Sequence, residues 1–193
     1  MTSLEMGPTG QRRGRGARER ILRAAGELFR EHGVNATGIE QVSESAQVSR
    51  RTVYQHFGGK DGLVEAYLQL HDAAPVPALE RDGLTPRERL VAIFEDALDA
   101  TPPLCPFIGA AVEIADPEHP ARRIARDYKV DLAARLAAVA RDAGAAEPEV
   151  LGDQLALLLD GVSARTRATG VDAMPTAVTV AHVLLDRALG PPT

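Results

Sequence analysis

Read as a string of apolar and polar positions, the chain keeps a helical beat from residue 18 onward and never settles into strand-like alternation. Over Arg18–His32, Ile21, Ala25, Leu28 and Phe29 share one face, and Gly33 is placed to close the helix. Thr37 or Gly38 opens a second helix, striped by Ile39, Val42 and Ala46. Val48 falls in a tight turn, and Ser49 is suited to cap a third helix over Arg50–Phe57. Val53 and Phe57 point that helix inward, and Gly58-Gly59 stops it. Two short helices joined by so short a turn predict a helix-turn-helix, in which the second braces the third as a rod able to enter a major groove.

Past Lys60 the elements lengthen. Asp61–Leu70 carries Leu63, Val64, Tyr67 and Leu70 on one side, whereas the prolines of Ala73–Gly83 predict a loop. Thr85-Pro86-Arg87-Glu88 reads as a capping box with proline at the first helical position, opening a helix to about Ala100. Thr101-Pro102-Pro103 breaks it, and a short apolar helix follows over Pro106–Ile114. Three further helices are expected over Ala121–Ala143, from Pro148 to about Ala168, and over Thr176–Leu189. The fold class is therefore all-α: an N-terminal three-helix domain and a C-terminal helical bundle. The expected divisions are 1–17, a basic arm disordered when free; 18–62, the helix-turn-helix domain; and 63–193, the body.

Composition strengthens this picture in one respect and charge in another. Aromatic residues make up 4% of the 193, tryptophan is absent, and the plentiful Ala and Leu favour helices. The net charge of -5 hides an asymmetry, with ten Lys/Arg against six Asp/Glu up to Lys60 and twelve against twenty-one beyond it. A basic head on an acidic body suits a polyanionic partner, although chance variation of surface charge produces the same figure. The arm around Arg12, Arg13 and Arg15 has two open readings, a strand laid along DNA or an inert solubilising extension. A single cysteine, Cys105, allows no intrachain disulfide, and neither a signal peptide nor a membrane-length apolar run is apparent, so a cytoplasmic location is expected.

The third helix carries the most informative chemistry. Arg50 and Arg51 suit bidentate pairing with guanine and Gln55 with adenine, while the Thr52 methyl suits contact with thymine. Ser49 stands at the helix start, and Thr37 near the second helix's N-terminus is a candidate phosphate ligand. In the body, Phe94, Leu98, Phe107, Val112, Glu113 and Tyr128 are candidates to line a small-molecule pocket, against the alternative of plain bundle core. Cys105 reads either as a redox sensor or as packing. The five histidines show no metal-ligand spacing, and no nucleotide-binding or nucleophile-elbow motif is present, so neither an enzyme, a metal site nor a cofactor is expected. A helical enzyme or carrier with an incidental basic head is the competing class.

From Arg18 through Phe29, then Gly33, Thr37, Ile39, Val42, Ala46, Val48-Ser49, Thr52–Phe57 and Lys60–Leu63, the ordered landmarks resemble the tetracycline-repressor (TetR) family of regulators. One departure is Gln47, where the family's turn usually has glycine; a positive φ there would make Gln47 costly. The resemblance implies phosphate contacts by Tyr54, His56 and Lys60, and a fourth helix that connects the two domains. It also implies a homodimer whose last two helices form a four-helix interface, for which Leu155, Leu158, Leu159, Val162, Val180, Val183 and Leu184 are the candidates. The function so implied is a transcriptional repressor released from a pseudo-palindromic, double-stranded operator by an unidentified small-molecule effector.

Overall fold

The computed structural model describes residues 10–72, 76–98 and 105–191, with backbone alone for 10–15. Among them the chain forms helices and no strand. Packing divides it into two compact units, a head through Leu70 and a body from His71.

The head contains α1 (Gly10–His32), α2 (Ile39–Ser45), α3 (Arg50–Phe57) and most of α4 (Lys60–Asp72). Its core is the predicted stripe: Ile21, Ala25, Phe29, Val42, Ala46 and Val53 are buried. α1 starts at Gly10 rather than Arg18, so residues 10–17 of the segment expected to be disordered continue a helix. Gln11, Arg12, Arg13 and Arg15 are good helix formers and offset Gly14 and Gly16. Residues 1–9 of that segment lie outside the described residues.

α4 explains why the head reaches Leu70 rather than residue 62. Leu63, Val64, Tyr67 and Leu68 are buried, and the Tyr67 ring meets Phe29 edge-on at 5.4 Å between centroids. Gly26 makes room for it, since a Cβ there would lie 3.0 Å from the Tyr67 ring.

The body contains α5 (Pro86–Glu95), α6 (Pro106–Glu113), α7 (Pro120–Asp142), α8 (Pro148–Thr169) and α9 (Met174–Leu189). The Thr85 capping box forms as expected, with the Thr85 hydroxyl accepting from the Glu88 N–H and the Thr85 N–H donating to the Glu88 carboxylate. The Thr85 N–H and the Thr85 hydroxyl both donate to the Glu88 carboxylate and hold that carboxyl below its usual pKa. α5 gives way to a turn after Glu95, and the expected end at Ala100 lies outside the described residues. Leu90 and Phe94 of α5, Leu132 and Leu136 of α7, Leu155 of α8 and Leu185 of α9 form one core. α7 and α8 approach so closely at Gly152 that a Cβ there would lie 2.7 Å from both the Ala133 carbonyl oxygen and the Ala137 nitrogen.

Candidate nucleic-acid interface

The helix-turn-helix is built from capping chemistry at both ends of α3. Ser49 is extended, and its hydroxyl accepts from the Thr52 N–H at 3.1 Å while sharing a 2.8 Å bond with the Thr52 hydroxyl. Gly58 closes the helix at φ 73°, a left-handed conformation in which glycine carries no steric cost. The turn before it contains Gln47 at φ 54°, the positive angle anticipated for that position. Arg20 of α1 secures the turn by donating from Nε to the Ala46 carbonyl at 3.2 Å.

So fixed, α3 has two faces. Val53 is wholly buried against the head core, and Phe57 is half-buried beneath the Arg18 guanidinium, 5.4 Å from the ring centroid. Arg50, Arg51, Tyr54 and Gln55 are exposed, at the i, i+1, i+4 and i+5 positions of the outer face. Tyr54 alone leaves 54% of its surface open, far more than an aromatic needed for packing. Thr52 and His56 flank this face and are half-buried.

Not every cation here is equally available. Arg50 forms an ion pair with Glu40 of α2, which ties the start of α3 to its bracing helix and offsets one positive charge. Lys60 donates from Nζ to the Asn35 carbonyl at 3.1 Å, a neutral partner that leaves its charge intact. Arg51 is the exposed cation of α3 whose position also faces outward beside Gln55.

Thr37 departs from its expected role. It is 1% exposed, and its hydroxyl donates to the Gly33 carbonyl at 2.7 Å. The hydroxyl therefore closes the α1–α2 corner and has no surface from which to reach a phosphate.

The close approach of α4 to α3 has a single cause. At Gly62 a Cβ would lie 2.0 Å from the Phe57 carbonyl oxygen, so the first turn of α4 rests directly on the last turn of α3. Gly62 is there for space, not for an unusual φ.

In the body, the six candidate pocket residues are not brought together. Phe107 and Val112 share the wall of a cavity of about 440 Å³ between α6, α7 and Asp160 of α8. Phe94 is wholly enclosed in the core that also holds Leu90 and Leu136. Leu98, Glu113 and Tyr128 are not on the cavity wall either. Tyr128 instead stacks on Phe107, with rings 3.7 Å apart and 9° from parallel, and burial raises its phenol pKa. Residues that sequence reasoning missed are Arg122, Arg126 and Lys129, which line the cavity from α7; their i, i+4, i+7 spacing was the available signal.

The candidate dimer residues also separate. Leu155 is enclosed in the body's own core and Leu159 is half-buried against it. Leu158, Val162, Val180 and Leu184 line an apolar groove of about 430 Å³ between α8 and α9. Val183 stands out from α9 at 61% exposure, and the unforeseen Leu157 of α8 is 73% exposed.

A capped helix-turn-helix joined to an all-helical body defines the class of helix-turn-helix transcriptional regulators. The model of bacterial regulatory proteins of the tetR family matches residues 21–67. A protein from Streptomyces avermitilis assigned to the tetR transcriptional regulators is 36% identical, with 89% of this chain and 97% of that one covered and a TM-score of 0.77. The chain belongs to the TetR family. The transcriptional repressor Rv3405c of Mycobacterium tuberculosis is 40% identical over 70 residues, 32% of this chain and 37% of that protein. The transcriptional activator FasR of Mycolicibacterium smegmatis is 39% identical over 95 residues, 48% of this chain and 41% of that protein. The chain thus matches well under half the length of these two curated relatives.

Among the described residues, no group of three or more His, Cys, Asp or Glu is placed to hold a metal, and no helix is long and apolar enough to cross a membrane.

Proposed function

We propose that the protein is a homodimeric, cytoplasmic regulator that binds a pseudo-palindromic operator through the outer face of α3 and leaves it when the body binds a small molecule. The single observation behind the DNA reading is the two-faced α3: Val53 is wholly buried while Arg51, Tyr54 and Gln55 are exposed together. A helix with that division enters a major groove as a rigid body, with Arg51 and Gln55 reading base edges. Tyr54, His56 and Lys60 hold phosphates and set the register. Arg50, offset by Glu40, acts mainly to position α3.

The α8–α9 face supports the dimer. An apolar groove flanked by Leu157 and Val183 is an unusual surface to leave in water, and a second copy covers it by two-fold symmetry. Two heads then meet half-sites about 34 Å apart, or a multiple of that distance. Release requires the effector to prefer the body conformation whose heads mismatch DNA, and linkage makes operator weaken effector binding by the same factor.

Operator selection from random DNA, followed by salt-dependent gel shifts, tests this reading. Arg51→Ala and Gln55→Ala should each cost about 1–3 kcal/mol and relax preference at their own base positions, whereas Lys60→Ala should weaken all sites alike. Unchanged affinity and preference in both α3 variants would remove α3 from the interface. The relatives include a named repressor and a named activator; the position of the selected operator relative to the promoter distinguishes the two.

A further inference from the structure

The body cavity has a polarity that the effector reading alone does not supply. On α7, Arg122, Ala125, Arg126 and Lys129 fall at i, i+3, i+4 and i+7 and line the cavity together, so three cations occupy one stripe of a helix. Opposite them, α6 presents Phe107, Ile108, Ala111 and Val112, an apolar wall. Like charges four apart destabilise a helix, and this stripe holds the pair Arg122 and Arg126 at that spacing.

The partners of these cations differ. Lys129 forms an ion pair with Asp160. Burial opposes its charge, but the Cys105 sulfur and the Asp160 carboxylate outweigh burial and raise its pKa. Arg122 donates to the Ile114 carbonyl at 3.4 Å and the Ala115 carbonyl at 3.5 Å, where α6 ends, both neutral acceptors. Arg126 meets Asp127 through Nε at 3.4 Å, a long contact that leaves the forked Nη edge for a second carboxylate. Glu118 is the remaining acid on the cavity wall; Lys129 is offset by Asp160 and Arg126 in part by Asp127, while the two contacts of Arg122 are to neutral carbonyls.

We infer that this cavity takes a small amphipathic carboxylate, with its apolar body against Phe107, Ile108 and Ala111 and its carboxylate received by Arg126 and Arg122. About 440 Å³ lies within the range of small-molecule sites, roughly 300–1,000 Å³. The stack of Phe107 on Tyr128 fixes the apolar end, since Phe107 cannot rotate without breaking that contact. A cationic ligand would meet the arginines, and a neutral one would gain nothing from them. This inference rests on the reading of the body as an effector-binding unit.

The test is calorimetric, on the full chain without DNA, using 4-phenylbutyrate, 4-phenylbutanol and 4-phenylbutylamine as matched probes. The carboxylate should bind about tenfold or more tightly than the alcohol and the amine, the worth of one charge-assisted hydrogen bond. Arg126→Gln, an exposed substitution, should remove that advantage and leave the alcohol unaffected. Arg123→Gln, an exposed position of the same helix that does not line the cavity, should change nothing. Equal binding of the amine, an equal loss in Arg123→Gln, or no binding of the carboxylate at millimolar concentration would each overturn the inference. Operator affinity measured with the carboxylate bound is a separate readout: binding without operator release keeps the inference and removes the effector reading.

Discussion

In the head, the polar groups inside the fold each have a task. Thr37 closes a corner and Ser43 donates its hydroxyl to the Glu40 carbonyl, while the exposed Arg20 secures a turn; most of what remains outside is polar or charged. In the body the balance is reversed. Some of its ion pairs, such as Arg141 with Glu149, lie on the surface, and the conspicuous exposed positions are apolar: Val112, Leu157 and Val183. A surface that reads a polyanion must be wet when unoccupied, whereas a surface that meets another copy is finished only when covered. The contrast predicts different failures. Disturbing the head should damage folding or reading, and disturbing the body's outer face should damage assembly.

The largest effect is expected where the body is least complete. Leu157→Asp and Val183→Asp place a charge on the α8–α9 face, and light scattering should show monomer in place of dimer while helicity by circular dichroism stays unchanged. An intact dimer in both variants would move the interface elsewhere and break the comparison. Next comes Gly62→Ala in the head. With the new Cβ 2.0 Å from backbone, the strain should cost about 3 kcal/mol in urea unfolding and abolish operator binding. Wild-type stability would mean that α4 can lift off α3.

Two smaller changes act on single residues of the head. Thr37→Val keeps the shape of the side chain and removes the hydroxyl that the Gly33 carbonyl accepts from, for a cost of about 1–2 kcal/mol. Operator affinity of the folded protein should not change, whereas a phosphate ligand at this position would lose affinity. The smallest effect has the opposite sign. Gln47→Gly relieves a positive φ and gives back some entropy to the unfolded chain, leaving a net gain of about 0.5–1 kcal/mol in unfolding free energy from urea titration.

These residues also mark how far sequence alone carries. α3 was legible to the residue, because Ser49, Gly58 and the Val53 contact are each local signals. Gln47 was legible as a cost only through the family resemblance, which places glycine at that turn position. Thr37 misled because a threonine before a helix looks the same in sequence whether its hydroxyl faces out or back to the preceding turn. In α8 the leucines 155, 157, 158 and 159 surround the helix, so periodicity does not tell the enclosed Leu155 from the exposed Leu157. Phe94 is a pocket candidate in sequence, but whether such a ring lines a void or fills one depends on a core shared with residues far along the chain, such as Leu136 and Leu155. The α7 cations were overlooked because helix charges ordinarily read as solvated surface.

The contact at Gly152 also governs where the body can yield. Backbone packed against backbone has no side-chain rotamers to absorb a displacement, so α7 and α8 cannot slide or rotate past each other there without losing that fit. They behave as a single stiff plate. Any change of volume in the cavity that α7 lines falls to the compliant side, the eight-residue α6, which packs through Phe107 and Ala110 and ends in the extended Ile114. A Gly152→Ala variant would prise the plate open and move the compliance, so its signature is a redistribution of amide hydrogen exchange from α6 to α8.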